Sequence, residues 1–283
     1  MTWLLSILLA VLGVAGSGDR GGQGGGVTIA VGPPQADARG PLPRVTRARG
    51  ENPPLVVIDP GHGGQDPGAP SPYGNVREKD ITLALARSIR DDLARFGRVR
   101  VALTRDSDTY LPLEQRYEVA RRLGADLFIS IHADAAPLND QARGATIYTL
   151  SEVASDREAA LLAARENDAD LIGGARLSPD PGVNLILIDL AQRESMDRSA
   201  EFARLLYREA APVFPFRPDW HRFAAFVVLK APDIPSILFE SGYLTNAVDA
   251  AYVQSPQGRA QIATGIRQAI EAHFAPRFLR PRS

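Results

Sequence analysis

The stretch Leu55-Val56-Val57-Ile58-Asp59-Pro60-Gly61-His62-Gly63-Gly64-Gln65-Asp66-Pro67-Gly68 decides the fold. A short apolar run passes into a Pro/Gly-rich turn that carries one of the chain's four histidines. That order reads as a buried strand delivering an imidazole, His62, to its exposed end. Outward from it, short β-rich runs alternate with amphipathic helical stretches. The alternation predicts an α/β fold: a single domain with a twisted, mostly parallel sheet of about six strands flanked by helices on both faces. The expected strands are 55–59, 99–103, 126–131, 145–150, 225–229 and 236–240. Within 80–96, Ile81, Leu85, Ile89 and Leu93 recur every four residues and form one apolar stripe. Leu113, Tyr117, Ala120 and Leu123 do the same for a second helix, which Gly124 ends. Later helices are expected at about 194–210 and 257–274.

The 283 residues, 45% hydrophobic and 23% charged, suffice for a large core. A formal charge of -1 supplies no global attraction to nucleic acid or anionic membrane, so neither is an expected partner. The lack of cysteine excludes disulfides, thiolate metal sites and cysteine nucleophiles. Residues 1–16 hold an apolar run, Trp3 to Gly16, which is read as a signal peptide although no Lys or Arg precedes it. The run falls short of the roughly 20 residues a stable span needs, so no membrane insertion is expected after its removal. Residues 17–54, rich in Gly, Pro and Arg, are expected to be a flexible linker ahead of a catalytic domain at 55–276. Residues 151–192 lie between two expected strands and far exceed the usual connection of about 2 to 6 residues, which marks a functional insertion.

His62, His132 and Glu240 each follow or close a different expected strand. In a parallel sheet those carboxyl ends share one edge, where the sites of open α/β sheets form. Glu78 lies just before the first helix, which starts at the same edge. Two histidines and a carboxylate are a usual ligand set for catalytic zinc, and a second carboxylate is then free to act as general base. The spacing does not decide which glutamate has which role. Gly61, Gly63 and Gly64 are explained by a tight turn. His221 is expected to be structural, His273 to lie on the surface, and Arg105 and Arg116 to pair with nearby carboxylates.

Four blocks closely resemble the motifs of the zinc-dependent N-acetylmuramoyl-L-alanine amidases, in family order: Val57-Ile58-Asp59-Pro60-Gly61-His62-Gly63-Gly64, Arg77-Glu78-Lys79-Asp80, Ser130-Ile131-His132-Ala133-Asp134, and Leu238-Phe239-Glu240-Ser241-Gly242-Tyr243-Leu244-Thr245-Asn246. The resemblance implies that His62, Glu78 and His132 bind one Zn2+ and that Glu240 is the catalytic glutamate. The implied reaction cuts the peptidoglycan amide between N-acetylmuramic acid and L-alanine. Asp134, Ser241 and Tyr243 depart mildly from common family residues. Residues 17–54 are too short for the wall-targeting domain of the periplasmic cell-separation amidases, although the insertion resembles that branch. In that branch an inserted helix covers the zinc until an activator with a LytM-type domain moves it. The resemblance thus implies a periplasmic, monomeric, autoinhibited enzyme. Glu158 is the candidate blocking carboxylate, with Glu152 and Glu166 behind it. The alternatives are a zinc carboxypeptidase acting on wall peptides and a catalytically silent wall-binding protein.

Overall fold

The computed structural model describes residues 40–74, 76–136, 141–172 and 185–279, without the side chains of 172 and 185–190. The expected signal peptide and the first part of the expected linker lie outside these residues. Among those described, no helix is long and apolar enough to cross a membrane.

The strands are β1 (Leu55–Pro60), β2 (Arg100–Leu103), β3 (Leu127–His132), β4 (Ala145–Leu150), β5 (Phe216–Ala224) and β6 (Ser236–Glu240). They form one sheet in the order β2-β1-β3-β6-β4-β5. Every pairing is parallel except that of β4 with β6. Strands β1, β3 and β6 are buried along their whole length, which explains their near-continuous apolar sequences.

Helices α1 (Glu78–Phe96), α5 (Leu185–Ala210) and α7 (Pro256–Phe278) cover one face, where Ile81, Leu85, Ile89 and Leu93 meet Val56, Ile58, Ile129 and Ile237. The stripe expected on α1 is therefore its buried side. Gly97 ends α1 in the left-handed region at φ 73°, its N–H donating to the Leu93 carbonyl. The other face carries α2 (Leu113–Leu123) and α3 (Arg157–Asn167), with a 3₁₀ turn at Val227–Leu229, packed on Leu55, Val57, Phe128, Tyr148 and Leu238. Short α4 (Ala169–Ile172) follows α3, and α6 (Ala247–Gln254) precedes α7.

Two expectations need correction. The strand read at 225–229 is the 3₁₀ turn, and the real edge strand is Phe216–Ala224. The apolar Phe226-Val227-Val228-Leu229 run mimics a strand because Phe226, Val228 and Leu229 are buried in the core from a loop. The true strand is masked by Arg217, Pro218, Asp219 and Arg222, since an edge strand leaves part of its surface to water. The linker also ends earlier than residue 54. Thr46 N–H donates to the Val101 carbonyl at 2.9 Å, and its hydroxyl oxygen accepts from Val101 N–H at 2.8 Å, so this segment lies along β2.

Candidate metal centre

Because β1, β3 and β6 are parallel, His62, His132 and Glu240 arrive at one edge, with His132 and Glu240 direct register partners. His62 follows β1 with φ 60°, a left-handed conformation unusual for a residue with a side chain. Two buried arginines hold it there. Arg105 donates to the carbonyls of Pro60 (3.0 Å) and Gly61 (2.7 Å), and Arg116 to those of Pro60 (2.9 Å) and His62 (2.9 Å). Asp59 answers Arg116 at 3.1 Å and accepts from Thr104 and Ser130. Burial, reinforced by the Arg116 charge, pushes the Arg105 guanidinium down to about 10. Only Arg116 makes the carboxylate pairing expected of both; their main work is on backbone carbonyls.

The His62 ring is fixed by Asp66, whose carboxylate accepts from Nδ1 at 2.8 Å and from the Gly68 N–H at 3.1 Å. Its Nε2 then faces Glu78 Oε2 at 3.1 Å and Glu166 Oε2 at 3.4 Å. His132 Nδ1 lies 3.2 Å from Glu78 Oε1 and 3.3 Å from Glu166 Oε2. The two imidazoles meet edge to face at 4.8 Å. Glu78 is itself positioned by the N–H groups of Ala69 (2.8 Å) and Ala133 (2.9 Å). Gly61 is required by a close approach: a Cβ there would stand 2.5 Å from His132 ring atoms.

His62, His132 and Glu166 place ligand atoms within 4.8 Å of one another. His62 Nε2 is buried, close to two carboxylates yet not aligned as a hydrogen bond to either. A buried imidazole nitrogen without a hydrogen-bond partner, beside a second imidazole and converging carboxylates, fits a divalent cation of the zinc type. Burial disfavours charge on both His62 and Glu78. Their mutual proximity outweighs it, holding the Glu78 carboxyl well below and the His62 imidazole well above their ordinary ranges.

Glu240 differs from its neighbours. Both carboxylate oxygens are buried without a hydrogen-bond partner. Burial, with repulsion from Asp134, Glu78 and Glu166, raises its carboxyl well above the usual range. Ser241, the next residue, ties β6 to β3 by donating its N–H and hydroxyl to the His132 carbonyl, each at 2.9 Å.

Of the insertion's glutamates, Glu166 rather than Glu158 reaches the histidines. Glu158 is half exposed and pairs with Arg217 at 2.7 Å and Arg222 at 3.3 Å, while Glu152 faces solvent. The helical period held the signal: Ala159, Leu162, Ala163 and Glu166 are the buried positions of α3, spaced i, i+3, i+4, i+7. Glu166 is the one charge on that stripe and had to meet something inside. Arg165 beside it binds Asp134 at 2.5 Å. Asp170 accepts from Leu113 N–H (2.9 Å) and the Tyr110 hydroxyl (2.6 Å), capping α2 from the insertion. Sequence reasoning also missed Asp66, which stood in plain view four residues after His62. His221 is structural, with Nε2 3.0 Å from the Thr149 hydroxyl, whereas His273 is half-buried against Phe202 instead of lying free on the surface.

Comparison with known proteins places this geometry among relatives. Residues 56–272 match the family model described as N-acetylmuramoyl-L-alanine amidase. The chain is 37% identical to N-acetylmuramoyl-L-alanine amidase AmiA of Escherichia coli K12, over 82% of this chain and 79% of that protein. It is 35% identical to AmiC of Escherichia coli O6:H1, again over 82% of this chain but only 56% of the relative's length. The catalytic domain of CwlV, an amidase from Bacillus (Paenibacillus) polymyxa, superposes with a TM-score of 0.59 at 26% identity, covering 78% of this chain and 98% of that one.

Proposed function

The chain belongs to the N-acetylmuramoyl-L-alanine amidase family, a family of hydrolases, and on that premise we propose that it cleaves the peptidoglycan amide joining N-acetylmuramic acid to L-alanine. The observation that supports the reading is the meeting of the His62 and His132 imidazoles with the carboxylates of Glu78 and Glu166, beside the unpartnered, buried Glu240. His62, Glu78 and His132 hold Zn2+ in this proposal. The bound metal supplies Lewis acidity for the scissile carbonyl and lowers the pKa of water toward about 7. Glu240 takes the proton of the attacking water and returns it to the departing L-alanine nitrogen, a general acid–base contribution of about 10²- to 10⁴-fold. Asp66 keeps His62 Nε2 directed at the metal.

The same site is closed in this conformation. Glu166 Oε2 stands 3.3–3.4 Å from both imidazoles, where it would take the position that water and substrate need. In this proposal α3 autoinhibits the enzyme, and an activator with a LytM-type domain frees the metal by displacing that helix. The proposal includes export of the chain to the periplasm, where it would meet the wall.

Metal analysis combined with digestion of purified peptidoglycan tests the reading. The expected products are intact stem peptides with L-alanine at the amino end; release of single amino acids would instead identify a carboxypeptidase. Glu240→Ala should lower turnover at least about 10²-fold while zinc content stays near one per chain. Near-normal hydrolysis by this variant would remove Glu240 from the role of base.

A further inference from the structure

The acidic start of α3 marks a second site. Asp156 and Glu158 bind Arg217 and Arg222 of β5, whose side chains are only 14% and 4% exposed. Arg217 also donates to the Tyr243 hydroxyl, and Arg222 to the Tyr148 hydroxyl at 3.2 Å. Tyr243 lies three residues after Glu240. Tyr148 pairs with Leu238 across β4 and β6 and with Arg222 across β4 and β5. Residues paired across strands share a face, as do alternate residues along one, so Glu240, Tyr148 and Arg222 line the same surface beneath α3.

When α3 leaves, its two carboxylates leave with it. Arg217 and Arg222 then keep Asp219 of their own strand, 3.0 Å from Arg217 and 3.7 Å from Arg222. One exposed carboxylate against two largely buried guanidiniums leaves net positive charge beside two tyrosine hydroxyls. Such a pair calls for an incoming anion with planar, two-oxygen geometry. Glu158 and Glu166 are eight positions apart on α3, about 12 Å along a helix axis. An extended peptide covers that length in about three to four residues.

We propose that Arg217 and Arg222, with Tyr243, form a carboxylate-binding subsite for the peptide arm of the substrate, and that Glu158 and Asp156 occupy it as internal mimics. The inference rests on the amidase reading. In an N-acetylmuramoyl peptide the lactyl carboxyl is consumed in the scissile amide, so the free carboxylates belong to the peptide. The one that fits lies on the third or fourth residue from the cut. Arg217 and Arg222 thereby select acidic stem peptides over amidated ones.

The test uses the whole chain carrying Asp156→Asn, Glu158→Gln and Glu166→Gln, with zinc present, which removes every α3 carboxylate from the two arginines and from the histidines. Fluorescence polarisation follows binding of labelled N-acetylmuramoyl tetrapeptides, either with all peptide carboxylates free or amidated from the third residue onward. The free form should bind about ten- to a hundred-fold more tightly, Arg217→Gln should abolish the difference, and Arg217→Lys should restore part of it. Equal affinity for the two probes, or a preference that survives Arg217→Gln in combination with Arg222→Gln, overturns the subsite. Hydrolysis of the same probes is read in parallel. Equal cleavage of both with equal affinity sinks the subsite and spares the amidase; carboxylate-dependent binding without cleavage does the reverse; absence of both binding and cleavage sinks both.

Discussion

A histidine ligand works only if its ring cannot turn, and the His62 ring is fixed from behind. Asp66, 2% exposed, accepts from Nδ1 and so commits Nε2 to the side where Glu78 stands. A carboxylate in this position also raises the basicity of the imidazole, and losing such a partner typically costs 10- to 100-fold in metal affinity. Asp66→Ala should therefore weaken zinc binding by about that factor, measured by competition with a chelator, while far-ultraviolet circular dichroism stays unchanged. An unaltered zinc affinity would mean that the backbone cradle of Arg105 and Arg116 alone sets the ring. Asp66 also shows how far residue type carries a sequence reading. His62, Glu78, His132 and Glu240 were legible because each ends or begins an element at one sheet edge. Asp66 has no such marker, and its role became visible only when the left-handed turn at His62 folded it back onto the ring.

Helix α3 is held at both ends and at its continuation, and each hold can be tested separately. Asp170 caps α2 through Leu113 and also binds Tyr110, so it links the insertion to the body of the domain. Asp170→Ala should cost about 0.5–2 kcal/mol, the range for a lost helix cap, and should raise basal wall hydrolysis because α4 loses its anchor. A lower melting temperature without any gain in hydrolysis would separate capping from regulation. At the opposite end, burial pushes the Asp156 and Glu158 carboxyls up, but hydrogen bonds and charge from Arg222 and Arg217 outweigh it and leave both below their ordinary values of 3.8 and 4.5. Carboxyls depressed in the folded state stabilise above the unfolded value and lose that contribution as pH falls through the folded one. The clamp should thus be whole above pH 4.5 and weaken progressively below 3.8. Amide exchange in the first turn of α3, expressed as protection relative to α1, should drop over that window, and constant protection would show that the ion pairs add nothing there. These holds also explain what the sequence concealed. Choosing among the insertion's glutamates required the buried stripe of α3, and β5 was hidden because the arginines that grip α3 make it read as a polar loop.

On the scale of the whole molecule, the division of the core decides whether the insertion can move without unfolding the domain. The face built by α1, α5 and α7 against Val56, Ile58, Ile129 and Ile237 contains no residue of α3. The proposed metal ligands His62, Glu78 and His132 belong to β1, α1 and β3 or the turns beside them, so they stay in place when α3 departs. The apolar side chains that α3 contributes are confined to the opposite face, where Ala159, Leu162 and Ala163 pack with Tyr148, Ala224 and Leu238. Leu162 is the one large apolar side chain among those three, and its burial stabilises by roughly 1.5–3 kcal/mol. Removing residues 152–176 should therefore lower the melting temperature by several degrees yet leave one cooperative transition. The shortened protein should still bind zinc and should digest purified peptidoglycan faster than the intact chain without any activator. If instead it folds but no longer retains zinc, Glu166 is an indispensable ligand and α3 part of the metal site. Equal activity of the two forms with zinc retained would leave α3 as scaffold for the second face of the sheet.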